Sequence, residues 1–375
     1  MRQKTSSTLM TMISSFALLL LNALPTLAND FSQDYWTVEQ YLTEFPKQQE
    51  KSAQFTLTVR QPGQVETLDA AKKVKILVVY PGLQASDYWR RSVAAFEARM
   101  KELQISYEIA SHFTRPGNVD LRRQATQIRK ALQNRPDYFI FTLDALRHKS
   151  MIEKVMAARE TKIILQNITT PIRSFRSSQP FLYVGFDHKI GTKLLAERYL
   201  EETAKKANYA IFYGTRGYVS TLRGGTFLDE MSKHPGMSLK ASYYVHFDRE
   251  KSYTAAKEVI AEYPDLDFIY ASSTDIALGI TDAVNELGLS GKIKTNGWGG
   301  GSAELDAIAA GNIEFTVMRM NDDNGVAMAE AIKLDLANRE EEVPTIYSGD
   351  FTLVDRHTSQ DKLKRLKNRA FRYSN

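Results

Sequence analysis

The chain has 375 residues, 43% hydrophobic and 25% charged, with no cysteine and a formal net charge of +5. That balance excludes a disordered, collagenous or coiled-coil chain, and at roughly 150 residues per domain the length predicts two lobes. Zero cysteine removes disulfides, thiolate metal sites, iron–sulfur clusters and cysteine nucleophiles together, while 49 Lys+Arg against 44 Asp+Glu is too even for a nucleic-acid footprint, which needs a clustered basic face.

Residues 1–28 carry a basic start (Arg2, Lys4), an apolar run from Leu9 to Leu21 and the small-residue ending Pro25-Thr26-Leu27-Ala28. This is the layout of a signal peptide cleaved after Ala28, and the apolar run is shorter than the roughly 20 residues a spanning helix needs. The expected product is an exported periplasmic protein, whose core is large enough to do without disulfides. Residues 29–72 read as an N-terminal helix and linker. YWTVEQYLTEFPKQ predicts a short helix ended by Pro46, and VRQPGQVETLDAAKK a linker.

From Lys75 onward, β-branched and aromatic runs (KILVVYP, SYEIAS, YFIFTL, KIILQ) alternate with helical stretches such as SVAAFEARMKEL and LRRQATQIRKAL. Strands alternating with helices of ten or more residues predict βαβ units and parallel sheets. The pattern recurs in YAIFYG, ASYYVHF, DFIYASS and KIKTNGW. Strand centres near Val78, Tyr107, Ile140 and Ile163 match positions near Phe212, Tyr243, Ile269 and Ile293, about 130 residues on. RPDYFIFTLD is answered by YPDLDFIYASSTD, closing on Asp144 and Asp275 respectively. The fold class is therefore α/β: two doubly wound parallel-sheet lobes joined by hinge strands. Residues 73–185 with 300–346 are expected to form the first lobe, and 186–299 with 347–375 the second. Crossings are expected near Gly185-Phe186, Trp298-Gly299 and Tyr347-Ser348. Near the C-terminus, KLKRLKNRAFR predicts an amphipathic helix with Leu363 and Leu366 inward.

Enzyme signatures are missing. The six histidines (112, 148, 188, 234, 246, 357) form no HExxH motif, and there is no GxSxG nucleophile elbow. GFDHKIGTK lacks the spacing and the Gly-Lys pair of a P-loop. Gly297-Trp298-Gly299-Gly300-Gly301 falls at the end of its lobe, away from where a dinucleotide fingerprint belongs, and reads as a flexible interlobe loop. Asn167-Ile168-Thr169 matches a glycosylation sequon, but its place after a strand favours a cleft residue. Asp144, Asp187 and Asp275 fit equally a helix cap or a ligand acceptor. No nucleophile meets a base, so no catalytic or metal site is expected.

Ligands of parallel sheets bind beyond the strands' carboxyl ends. The loops there supply Gln84, Ser86, Asn167 and Thr274 for hydrogen bonding and Trp89 and Trp298 as flat apolar faces. Arg223 and Arg319 are the informative pair. Two guanidiniums in one cleft repel and lose hydration unless an anion lies between them. The inventory points to a small, oxygen-rich, anionic ligand. The competing reading makes each arginine a surface residue, or pairs it with Asp322, Asp323 or a neighbour.

The runs VVYPGLQASDYW, FTRPG, DYFIFTLD, LQNITTP, FLYVGFDH, NGWGGGSAELDAI, TVMRMNDD and AFRYSN resemble the periplasmic autoinducer-2 receptors of marine vibrios, in the ribose-binding-protein-like class of periplasmic binding proteins. The resemblance runs from about Tyr35 onward and departs in the loop carrying Thr215 and Arg216 and in HFDREKSY. It implies a furanosyl borate diester as ligand, with borate part of the ligand and no further cofactor. Gln84, Ser86, Trp89 and Asn167 would contact that ligand, Arg223 and Arg319 would hold the borate, and Thr274 and Trp298 would complete the wall. It also implies a LuxQ-like sensor histidine kinase in the membrane as partner, to which closure of the lobes would signal. With Arg319 on the first lobe and Arg223 on the second, the anion would bridge the cleft. The residues alone leave two rivals: the sugar-binding component of an importer, and a secreted hydrolase or lyase.

Overall fold

The alternating runs resolve into two six-stranded sheets in the computed structural model, which describes residues 34–68, 73–81, 83–114, 121–142, 146–158 and 160–375. The expected leader (1–28), part of the expected linker and Asp144 lie outside the described residues. The first sheet has the order β11-β5-β4-β3-β1-β2, all parallel, from β1 (Val74–Tyr80), β2 (Tyr107–Phe113), β3 (Tyr138–Thr142), β4 (Lys162–Gln166), β5 (Leu182–Gly185) and β11 (Ile346–Ser348). The second has the order β12-β10-β9-β8-β6-β7, from β6 (Ala207–Tyr213), β7 (Met237–Tyr244), β8 (Phe268–Ala271), β9 (Lys294–Gly299), β10 (Phe315–Arg319) and β12 (Phe351–Asp355), with only β12 antiparallel. β1 to β5 and β6 to β10 thus repeat one order, with helices on both faces.

The repeat corrects the expected lobe boundaries. The strand EFTVMR, expected in the first lobe with residues 300–346, is β10, the fifth strand of the second sheet, answering β5. Helix Ser302–Ala309 sits on the same sheet, its Leu305 clustering with Met318 and Val354. The chain re-enters the first lobe only after Met320, where helix Asp322–Leu336 packs on helix Tyr88–Glu102 and on β5. The crossings are therefore at Gly185–Asp187, Met320–Asn321 and Gly349–Asp350. They are stitched together: Gly349 N–H donates to the Gly185 carbonyl at 2.8 Å, and Met320 N–H to the Asp350 carbonyl at 3.1 Å. The glycine-rich run at 297–301, read as an interlobe loop, lies instead within the second lobe.

At the N-terminal side the expected helix is two. Val38–Glu44 starts with a capping box between Thr37 and Gln40, and Pro46 opens the second helix, Pro46–Arg60, instead of ending the first. The proline has no N–H to lose at a first helical position. This second helix buries Phe55 and Val59 against β11 and helix Asp322–Leu336. Helix Gln360–Ala370 forms as expected, with Leu363 and Leu366 packed on Met318, Met320 and Val354.

The hinge leaves no room for a larger residue at Gly349. A Cβ there would stand 2.5 Å from the Phe186 ring, which itself packs on Phe351. Gly349→Ala is expected to lower unfolding free energy by about 1–3 kcal/mol, read as a shifted urea midpoint with an unchanged slope.

Candidate functional site

All eight sequence-predicted residues meet in one cleft. Gln84, Ser86, Trp89, Asn167, Arg223, Thr274, Trp298 and Arg319, joined by Tyr88, Phe247 and Asp275, line a cavity of about 60 Å³ at the carboxyl ends of both sheets. A wider hollow of about 710 Å³ lies at the other end of the first sheet, walled by residues such as Val65, Asp137 and Lys162. The cleft is the better candidate, because it carries convergent polar groups and two buried arginines at the strand ends where parallel sheets bind.

The first lobe supplies mostly neutral groups. Gln84 and Ser86 lie on the loop after β1, and Trp89 and Tyr88 on the helix that follows, with Trp89 packed 4.6 Å from the Tyr80 ring and 4.7 Å from the Tyr88 ring. Asn167, just past β4, takes a left-handed φ of 66°, its N–H donates to the Val184 carbonyl, and its Oδ1 is buried without a partner. Strain and an unpaired acceptor at one residue are the marks of a functional position.

The second lobe supplies both charges. Arg223 sits in a single π turn, Thr221–Gly225, between helices Tyr218–Ser220 and Thr226–Ser232. Such turns concentrate at functional sites. Its guanidinium lies 3.5 Å over the Trp298 ring and donates to the Ser272 carbonyl at 2.9 Å and to Nδ1 of His188 at 3.3 Å. His188 is then neutral, donating from Nε2 to the Asn167 carbonyl at 3.0 Å. Burial and then the Arg223 charge hold its pKa well below the ordinary value. Arg319 ends β10, 3.9 Å over the Tyr88 ring and 5.8 Å from that of Trp298, its Nε without a partner. Burial, then the Arg319 charge, pulls the Arg223 guanidinium down to about 9, and burial lowers Arg319. Among the described residues no carboxylate forms an ion pair with either. The surface-residue reading fails, since the two are 4% and 5% exposed. Asp323 pairs with Arg369 and Arg372, and Asp322 accepts from Tyr373 and Ser374.

Because β10 belongs to the second sheet, both arginines come from one side of the cleft. The expected bridge, with one arginine per lobe, is corrected accordingly: an anion would rest on the second lobe, and the first would close over it with rings and amides. The glycines make this geometry possible. Gly299, at φ 146°, has Arg319 Nη2 where a Cβ would be, at 2.5 Å, and a Cβ on Gly297 would meet the Glu304 carboxylate at 2.4 Å.

Glu304 is a residue the sequence reading missed. Fully buried, it accepts from Thr274 Oγ1 (2.6 Å), Trp298 N–H (2.9 Å), Gly300 N–H (2.7 Å) and Thr316 Oγ1 (2.5 Å), fixing two of the expected ligand residues at once. Its helical position beside β10 gave no motif to find it by. Of the three strand-end aspartates, Asp187 is a cap, accepting from Lys189 and Ile190 N–H groups. Asp275 instead reaches across the cleft to the Ala85 and Ser86 N–H groups at 2.7 and 3.2 Å, while Ser273 caps its helix. Burial nonetheless pushes the Asp275 carboxyl up.

A family model described as a periplasmic binding protein domain matches residues 76–340. Over 153 residues the chain is 27% identical to the D-allose-binding periplasmic protein of Escherichia coli (strain K12); that stretch is 40% of this chain and 49% of the relative, so the chain spans about half the length of the curated relative it matches. Among solved structures, an ABC transporter periplasmic solute binding protein from Actinobacillus succinogenes 130z with bound D-allose superimposes with a TM-score of 0.67, at 20% identity over 78% of this chain and 100% of that one. A solute binding protein from Agrobacterium vitis bound with alpha-D-tagatopyranose gives 0.70, at 19% identity over 78% and 99%. At these identities the likeness shows the two-lobed fold.

Removing Glu304 would strand four buried donors. Glu304→Ala is expected to cost on the order of 3 kcal/mol or more of stability, measured by urea denaturation. A cost below 1 kcal/mol would contradict its role as anchor of the cleft wall.

Proposed function

The chain belongs to the periplasmic binding protein domain family, and on that premise we propose that its cleft binds a small, oxygen-rich ligand carrying negative charge. The observation that supports this is the pair of buried guanidiniums, Arg223 and Arg319, with no carboxylate ion-paired to either among the described residues. The ligand that fits the donor set and the sequence resemblance is autoinducer-2 as its furanosyl borate diester. Tetrahedral borate supplies the anion between the arginines. Gln84, Ser86, Asn167 and Thr274 take the ring oxygens, and Trp89, Trp298 and Tyr88 cover its carbons. The protein would then be a LuxP-type quorum-sensing receptor, exported to the periplasm. No helix among the described residues is long and apolar enough to cross a membrane.

In this reading the protein performs no chemistry on its ligand. It needs no cofactor, borate entering as part of the ligand, and its output is shape. A ligand touching both lobes binds the closed form better and shifts the population toward it. Taking open-to-closed odds from about 99:1 to 1:99 requires roughly 5.5 kcal/mol of differential affinity, and charge-assisted hydrogen bonds of about 1.5–3 kcal/mol each from two arginines supply much of it. The closed surface would be read by the periplasmic domain of a LuxQ-like sensor histidine kinase.

A second reading has its own support: the relative's name and the solved structures above are those of sugar-binding proteins, mostly described as ABC transporter components. As the sugar-binding component of an importer, the same cleft would take a neutral monosaccharide such as D-allose. Isothermal titration separates the two. Autoinducer-2 should bind far more tightly with borate than without it, and D-allose weakly; tight D-allose binding that ignores borate would establish the importer reading.

The arginines also make a prediction that does not depend on the ligand's carbon skeleton. Two buried like charges with no carboxylate ion-paired to them among the described residues are costly to the fold, so Arg319→Met should leave unfolding free energy of the ligand-free protein within about 1 kcal/mol of wild type or raise it. The same change should weaken binding of the borate diester about 10- to 150-fold, as should Arg223→Ala, both read by titration calorimetry.

A further inference from the structure

Tyr218 stands outside the ligand cavity yet joins three parts of the molecule. It opens the irregular helix that carries Arg223 five residues on, in the second lobe. Its hydroxyl is 2.9 Å from Thr170 Oγ1, which donates to it, and 3.4 Å from the Thr169 N–H; both threonines belong to the first-lobe loop that begins at Asn167. On its other side the ring lies 5.4 Å from that of Tyr35. Tyr35 lies N-terminal to the stretch that matches the family model, on a segment clamped to the same first-lobe loop. Trp36 N–H donates to the Pro171 carbonyl at 2.9 Å, Arg173 Nε donates to the Tyr35 carbonyl at 3.0 Å, and the Arg173 guanidinium covers the Trp36 ring at 3.7 Å. Tyr218 also packs 5.7 Å from the ring of His188, the acceptor for Arg223 Nε.

We propose that Tyr218 is a closure latch: a positioning residue that holds the second lobe against Thr169, Thr170 and the N-terminal segment, and so brings Arg223 to its working position without touching ligand. Tyr218 is 5% exposed, in a structure where Asp275 bonds across the cleft to the Ala85 and Ser86 N–H groups. On this proposal, opening separates its hydroxyl from Thr170 and its ring from Tyr35, and the contacts bias the equilibrium toward closure before any ligand arrives. The bias rests on no assumption about which ligand the cleft takes, and it makes the N-terminal segment a working part of the hinge.

The cysteine-free chain allows a direct test on the full ligand-free protein. Lys101→Cys and Glu258→Cys, exposed on opposite lobes, accept spin labels whose separation reports closure by pulsed dipolar spectroscopy. Tyr218→Phe, which keeps the ring and removes the hydroxyl, should lower the closed-to-open odds about three- to tenfold, as loss of one hydrogen bond does. Thr170→Val should lower them by no more than Tyr218→Phe does, and the double variant should do no more than Tyr218→Phe alone, because the bond that Thr170→Val deletes is already among those lost with the Tyr218 hydroxyl. Tyr35→Ala should also lower the odds. In calorimetry with autoinducer-2, the ratio of affinities with and without borate should stay at the wild-type value in Tyr218→Phe, which sets the latch apart from damage to the arginine site. Identical distance distributions in wild type and Tyr218→Phe, or strict additivity of the two single changes, would overturn the proposal.

Discussion

Two buried guanidiniums held near one indole repel each other, and the fold spends much of its local order on keeping them there. Arg223 and Arg319 approach the Trp298 ring from different elements, one in a π turn and the other at the end of β10. Neither meets a carboxylate among the described residues. A buried charge without a partner is costly in any interior, and two of like sign more so. Such a pair makes sense where a ligand completes it. The neutral state of His188, fixed by its bonds to Asn167 and Arg223, keeps a third positive charge out of the same space.

The surrounding architecture follows from that pair. The glycine run 297–301 gives space to Arg319 and to the Glu304 carboxylate at positions where any side chain would collide. Glu304 in turn fixes Thr274, Trp298, Gly300 and Thr316 by four hydrogen bonds, so its charge is used to shape the wall and is not an ion-pair partner of either arginine. Placing both arginines on the second lobe divides the labour: one lobe holds the charge, and the other closes with Tyr88, Trp89 and neutral polar groups. The hinge permits this because its three crossings are bonded to one another, Gly349 to Gly185 and Asp350 to Met320. The crossings thus form one stitched unit, and contacts that cross between the lobes are made by Asp275 and by Tyr218.

Much of this was legible in the sequence, for a physical reason. Parallel strands buried on both faces read as β-branched and aromatic runs, so β1 to β4 and their repeats β6 to β9 stood out, and the strand-end residues that line the cleft followed from the topology. The fifth pair did not. LYVG and FTVMR are as strand-like as the others, but the glycines before β10 looked like a hinge, which moved that strand and Arg319 into the wrong lobe. Glycine marks both flexible turns and close approaches, and only the neighbours' positions tell the two apart. Glu304, His188 and Tyr218 act through long-range bonds that no local spacing encodes. Pro46 was misread for a simpler reason: proline ends one helix and begins the next with equal ease.

The central claim, that the arginine pair awaits an anion, is tested most directly by what the protein carries out of the cell. Protein purified without added ligand from cells making autoinducer-2 in borate-containing medium, then denatured, should release close to one boron atom per chain together with a single five-membered-ring sugar derivative, measured by elemental analysis and mass spectrometry. Release of a neutral monosaccharide in stoichiometric amount, with no boron, would contradict the account and leave Arg223 and Arg319 without the partner proposed for them.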